Sequence, residues 1–208
     1  MASASSSSAS SVASLSLLCR RHSLSRHPLA DGNSTLVSAS GVFELGFFSP
    51  GNSRNRYLGL WYKNIGVQTI VWVANREDPI ADRTGLLKIG GGDGNLILSN
   101  QSSYVFWSTN TSSAGGGAAK PVAQLLDSGN FVLKADAGDS DGYGFLWQSF
   151  DYPTDTLLPG MKLGWDFRRG LDRALTTWKS PDDPSAGTTL SKWTLTDRRR
   201  CSYGIGRR

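Results

Sequence analysis

With 208 residues, 38% hydrophobic and 10% aromatic, the chain has apolar material for one domain-sized core, and its 24 glycines favour short strands and tight turns over long helices. The formal net charge of +5 belongs to the ends: residues 1–30 hold +3 and residues 189–208 hold +5, which leaves −3 for the middle. That excludes the basic, aromatic-studded folded face of a nucleic-acid module, and Cys19 and Cys201, one in each tail, exclude a disulfide framework across the core.

Residues 1–30 are rich in Ser and Ala, carry Arg20, Arg21 and Arg26, lack acids, and contain a short apolar stretch around Val12 to Leu18. This reads as a signal-like or transit-like or disordered segment. From Leu36 to Trp147 short apolar runs follow one another, each bounded by Gly, Asn, Asp or Ser, among them "VFELGFF", "YLGLWY", "TIVWVAN", "LLKIG", "NLILSN", "YVFWSTN", "VAQLL", "NFVLKA" and "FLWQSF". Runs of this length and spacing predict an all-β sandwich, barrel or prism.

The runs also repeat. "GNLIL" at Gly94 returns as "GNFVL" at Gly129, an offset of 35, and Trp72 is followed by Trp107 at the same offset and by Trp147 after 40. The Gly/Asp-rich stretch "ADAGDSDGYG" accounts for the extra length. "GVFEL" at Gly41 opens an earlier copy, with "RNRYLGLWYKN" as an insertion before Trp72. Three copies of a four-strand unit, each too small to bury a core alone, are expected to pack round a shared axis. Trp72, Trp107 and Trp147 are then core residues meeting at the centre, each indole N–H needing a partner such as a backbone carbonyl.

Downstream, Pro153 and Pro159 punctuate "SFDYPTDTLLPGMKLGWD", which predicts an extended crossing segment with a turn. From Gly187 the chain offers no evident strand partner and ends in arginines, so a tail is expected there.

The series "ELGFFSPGNSRNRYLGLWYKN", "VWVANREDPI", "GDGNLILSNQ", "VFWSTNTS", "AQLLDSGNFVLK", "LWQSFDYPTDTLLPGMKLGWD" and "TTWKSPDDPSAG" closely resembles the bulb-type lectin domain of plant S-locus receptor kinases and S-locus glycoproteins. The resemblance runs over residues 36–179. It implies a β-prism II, three four-stranded antiparallel sheets with pseudo-threefold symmetry, with the lectin domain over residues 31–160. Residues 161–208 then form an extended segment and a divergent basic tail at the truncated start of the S-locus glycoprotein region. In such receptors a membrane span and a kinase follow, and neither is expected in this chain.

Mannose-binding members of that family carry Q-x-D-x-N-x-V-x-Y on a strand, where alternation brings the five named side chains to one face. Asp93, Asn95 and Ile97 keep the middle of the pattern, with Gly91 and Ser99 at the Gln and Tyr positions. Asn130 and Val132 match in the next copy, with Leu126, Ser128 and Lys134 at the other three positions, and the first copy offers Val42 and Glu44. The resemblance therefore makes Asp93, Asn95, Ile97, Asn130 and Val132 candidate carbohydrate-binding residues on a largely degenerate site. Tight-turn chemistry explains "GGGDGN" and "LLDSGN" equally well.

No catalytic residue, cofactor or metal site is expected. His22 and His27 both lie in the N-terminal tail, away from any Ser, Cys or Asp of the folded region. Asp151 and Asp155 flank Pro153 and read as turn residues rather than paired glycosidase carboxylates. "GGGDGN" leads into a strand, not into the helix a phosphate loop opens. Sequons at Asn33, Asn100 and Asn110 are candidate glycosylation sites and suit an extracellular, secreted protein. No run of about eighteen apolar residues is present to span a membrane. The expected partners are mannose-type glycans or, alternatively, receptor or ligand proteins bound without sugar recognition.

Overall fold

The computed structural model describes residues 23–24, 27–32, 34–111, 121–135 and 144–191. The N-terminal part supplies three two-residue strands, β1 (Ser23–Leu24), β2 (Leu29–Ala30) and β3 (Leu36–Val37). Three meanders of three strands follow: β4 (Phe43–Phe48), β5 (Tyr57–Tyr62) and β6 (Ile70–Val73); β7 (Leu86–Ile89), β8 (Leu96–Ser99) and β9 (Val105–Ser108); and β10 (Pro121–Leu125), β11 (Phe131–Ala135) and β12 (Phe145–Gln148). Each N-terminal strand completes a different meander. The antiparallel orders are β3-β4-β5-β6 (sheet I), β2-β7-β8-β9 (sheet II) and β1-β10-β11-β12 (sheet III).

The nine longer strands coincide with the nine apolar runs, and the three four-stranded sheets realise the expected prism. At its centre the indoles of Trp72, Trp107 and Trp147 meet edge to face, with ring centroids 5.4 to 6.1 Å apart. Trp72 Nε1 donates to the Tyr152 carbonyl at 2.9 Å. Around them one continuous core holds at least one leucine from each sheet, including Leu24, Leu29 and Leu36 of the N-terminal strands.

That weave moves the N-terminal boundary. Residues 23–24 and 29–30 belong to the folded part, because Leu24 pairs with Ala123 and Leu29 with Leu87, and both leucines are at most 2% exposed. Between sheets, Asp31 accepts a fork of hydrogen bonds from Arg56, with Nε to Oδ2 at 2.7 Å.

Strand register defines the threefold relation. Leu60 pairs with Trp72, Leu98 with Trp107 and Leu133 with Trp147, and a bulge follows each of these leucines. β5, β8 and β11 are therefore equivalent, and "RNRYLGLWYKN" is the third strand of sheet I rather than an insertion. Val42 and Glu44 are not the first copy's site positions, since Glu44 lies on β4, the neighbour of that strand.

After the prism come a short 3-10 turn (Ser149–Asp151) and two hairpins. The first pairs β13 (Gly164–Asp166) with β14 (Leu171–Arg173), and the second pairs β15 (Leu175–Ser180) with β16 (Asp183–Ser191). The tail expected from Gly187 is thus corrected through Ser191: Thr189 faces Thr176 and Ser191 faces Leu175.

Burial along the third strands differs between sheets. In β8 the inward Leu96 and Leu98 are fully buried while Ile97 between them is half-buried, whereas β5 is buried over residues 57–61 and β11 over residues 131–133. A strand buried on both faces needs a cover on its outer side. The two hairpins stand beside sheets I and III.

Candidate functional site: three strand faces

Counting from the Leu–Trp pairs places Asn55, Tyr57, Gly59 and Trp61 of sheet I level with Asp93, Asn95, Ile97 and Ser99 of sheet II, and with Ser128, Asn130, Val132 and Lys134 of sheet III.

On sheet I this face is an apolar cluster. Phe48, Tyr57, Trp61 and Val73 pack together, and Trp178 of β15 lies on them with its ring 6.3 Å from that of Phe48. Gly59 is required, since a Cβ there would stand 2.4 Å from the Phe48 ring. At the edge, Glu44 accepts from Thr35 at 2.7 Å, from Lys63 at 3.0 Å and from Trp61 Nε1 at 3.3 Å. Burial pushes the Glu44 carboxyl up, but these donors outweigh it and hold it below its ordinary value. Asn55, Tyr57, Gly59 and Trp61 thus stand where the mannose pattern has Asp, Asn, Val and Tyr, and Trp178 lies over the cluster.

On sheet III the predicted Asn130 and Val132 are buried. Asn130 Oδ1 accepts from Ser149 Oγ and the Phe150 N–H, both at 3.3 Å, and its Nδ2 donates to Gln148 Oε1 at 2.9 Å. Gln148 Nε2 donates to Asp151 Oδ2 at 3.1 Å. Asp151 Oδ1 in turn receives Arg173 through Nε at 2.8 Å and a second nitrogen at 2.6 Å, and Arg173 also reaches Asp166 at 3.1 Å. Burial lowers the Arg173 pKa, but the two carboxylates outweigh it and raise the value above its ordinary one. Asp151, read from sequence as a turn residue, is thus the hub joining sheet III to the β13–β14 hairpin. Its partner lies 22 residues away, a separation that no local motif announces.

Among the described residues no hairpin covers this face of sheet II. Asp93 is exposed, and its carboxylate accepts from the Asn95 backbone N–H at 3.1 Å and from Asn95 Nδ2 at 2.9 Å. The Asn95 side chain and backbone bonds hold the Asp93 carboxyl below its ordinary value. Asn95 Oδ1 accepts from Thr109 Oγ1 at 2.9 Å and from the Thr111 N–H and Oγ1 at 2.8 Å each. Asn95 therefore braces the β8 and β9 ends, with at most one Nδ2 hydrogen left for anything else. Gly94 before it takes φ 68°, as the turn chemistry of "GGGDGN" predicts. The hydroxyl of Ser99 at the Tyr position is buried and has no hydrogen-bond partner among the described residues.

Of the sequons, Asn110 is exposed with φ 47°, and Asn100 is half-buried, accepting from the Tyr104 N–H at 2.9 Å. Asn33 lies outside the described residues. Among the described residues no three His, Cys, Asp or Glu side chains gather to hold a metal, and no helix is long and apolar enough to cross a membrane.

Three sheets meeting at a tryptophan triad, each with one strand bearing an Asn or Tyr at matched register, define a bulb-type lectin fold. The family model for "D-mannose binding lectin" matches residues 69–179, more than half of the chain, and the chain belongs to that family. It is 56% identical over 156 residues to the receptor-like serine/threonine-protein kinase SD1-8 of Arabidopsis thaliana, covering 74% of this chain and 18% of that protein. It is 54% identical over 153 residues to the S-locus-specific glycoprotein BS29-2 of Brassica oleracea var. alboglabra, covering 74% of this chain and 34% of that protein. The match thus spans 18% to 34% of the length of these two relatives. Among solved structures, the mannose-specific agglutinin from snowdrop (Galanthus nivalis) bulbs aligns with 59% of this chain and 96% of its own, at 24% identity and a TM-score of 0.42.

Proposed function

We propose that the chain is a non-enzymatic, extracellular recognition module in which mannose-type binding is confined to one reduced face, that of sheet II. The observation that supports this is the fate of the three equivalent strands: the sheet I face is filled by Trp178, the sheet III face is tied to Arg173 through Asp151, and Asp93 alone offers an exposed carboxylate. Asp93 is ionised at neutral pH and accepts hydrogen bonds from sugar hydroxyls, while half-buried Ile97 supplies an apolar floor. Gly91 and Ser99 stand where the mannose pattern has Gln and Tyr, and each lost hydrogen bond removes about 0.5–1.5 kcal/mol. Binding is accordingly weak. On sheet III the candidate residues Asn130 and Val132 are buried and do not present the mannose pattern.

In the calorimetric test, methyl α-mannoside gives a weak saturable heat with one site per chain, abolished by Asp93→Ala. Binding that survives Asp93→Ala counts against the proposal. The alternative reading, protein recognition without sugar, draws on Trp165 (44% exposed) and Phe167 (64% exposed) at the tip of the β13–β14 hairpin, an aromatic pair of the kind that anchors interfaces. It predicts no mannoside heat and a partner-dependent increase in hydrodynamic size that Trp165→Ala removes. Export through the secretory route places glycans on Asn110, Asn100 and Asn33, and mass spectrometry of protein made in a plant secretory host checks this.

A further inference from the structure

Between sheet III and the β13–β14 hairpin lies a cleft of about 620 Å³ whose charge exceeds what its structural role uses. We propose that this cleft binds a saccharide bearing carboxylates, a uronate-type sugar, independently of the sheet II face.

At the base of the cleft buried Arg173 is shared between Asp151 and Asp166, one cation against two carboxylates. Arg169, Arg168 and Lys162 add three further cations to the lining, so four positive groups face two carboxylates and the cleft is left at +2. Arg169 is 57% exposed at its side chain and bonds Asp151 at 2.9 Å, while among the described residues Lys162 and Arg168 make no ion pair. A neutral hexose leaves both of these cations uncompensated; a carboxylate pairs with them by charge-assisted hydrogen bonds.

The remaining lining selects a sugar over a bare anion. Asn130 and Gln148 each commit one amide N–H within the wall, to Gln148 and Asp151 respectively, which leaves a second N–H on each for ring hydroxyls. Phe150 and Phe145 add ring surface for the C–H faces of a pyranose. The volume lies within the usual range of small-ligand sites.

The test is calorimetry of the full chain at low ionic strength with trigalacturonic acid, its methyl ester and sodium sulfate. The expected result is saturable binding of the acid and binding of the neutral ester at least about tenfold weaker. Lys162→Gln combined with Arg168→Gln weakens the acid by about tenfold or more, the charge-keeping pair Lys162→Arg and Arg168→Lys retains it, and Asp93→Ala leaves it unchanged. Because both side chains are exposed, the double variant keeps the tryptophan fluorescence of the folded prism. Absence of binding, equal binding of the ester, equal binding by sulfate alone, or indifference to the double variant each overturns the proposal. Loss of mannoside binding with retained uronate binding leaves it standing, which separates it from the sheet II reading.

Discussion

Truncating Leu29 tests whether the N-terminal weave holds the prism together. Leu29 is 1% exposed, pairs with Leu87 and packs in the central core, so Leu29→Ala removes buried methyl groups and opens a cavity that neighbouring strands cannot fill. Such changes cost about 2–5 kcal/mol. Leu24, 2% exposed in sheet III, is equivalent in depth but sits in another sheet, so the two losses should nearly add, to about 4–10 kcal/mol. That approaches the whole stability of a domain this size, about 5–15 kcal/mol. The assay is equilibrium urea unfolding followed by tryptophan fluorescence, which the central triad makes sensitive to sheet separation. With a slope of about 2 kcal/mol per molar urea, a 3 kcal/mol loss moves the midpoint down by about 1.5 M for Leu29→Ala alone. A chain beginning at Asp31 should unfold at still lower urea. A midpoint within about 0.3 M of the parent for Leu29→Ala would refute the weave.

Other perturbations separate buried from exposed interactions. Asp151→Ala takes from buried Arg173 the closer of its two carboxylates, leaving Asp166, and should cost about 3 kcal/mol in the same assay, whereas Arg169→Ala, acting on a half-exposed pair, should cost less than about 1 kcal/mol. Asn95→Ala removes the acceptor shared by Thr109 and Thr111 and should cost about 1–3 kcal/mol, read as a lowered midpoint. Gly59→Ala drives a methyl into the Phe48 ring and should cost about 1–3 kcal/mol by differential scanning calorimetry. Acid should also destabilise the prism. The Glu44 carboxyl is held below its ordinary value when folded, so its contribution is complete above the unfolded glutamate range, near about pH 4.3, and is lost as pH falls through the lower folded value. Glu44→Gln should flatten the stability profile over that acid window and leave its shape above about pH 6 unchanged.

Much of the fold was legible because each of the nine strands β4 to β12 of the prism is an apolar run closed by a turn signal, and because the repeat offsets placed Trp72, Trp107 and Trp147 in one core. What escaped had identifiable physical reasons. β1 and β2 are two residues long, too short for any period, and each buries one leucine from a Ser-rich context. The first repeat was misplaced because Phe43 and Leu45 on β4 imitate the Gly-x-apolar-x-Leu spacing of β8 and β11, while the true counterpart carries Arg56 and Tyr57 in place of Gly and Asn. The Asp93, Asn95 and Ile97 alignment came from the resemblance to the mannose-binding pattern, whose spacing strand alternation explains. The covering of the other two faces did not, since Trp178 and Arg173 reach their partners from hairpins that lie far along the chain.

The central claim, that one strand face of three retains sugar recognition, is tested most directly by amide chemical-shift mapping of the labelled chain titrated with methyl α-mannoside. The account predicts saturable shifts confined to residues 91–99 and their neighbours on β7 and β9, and their disappearance in Asp93→Ala. Saturable shifts centred on residues 53–61 or 126–134, or no shift from a well-folded sample, would contradict it.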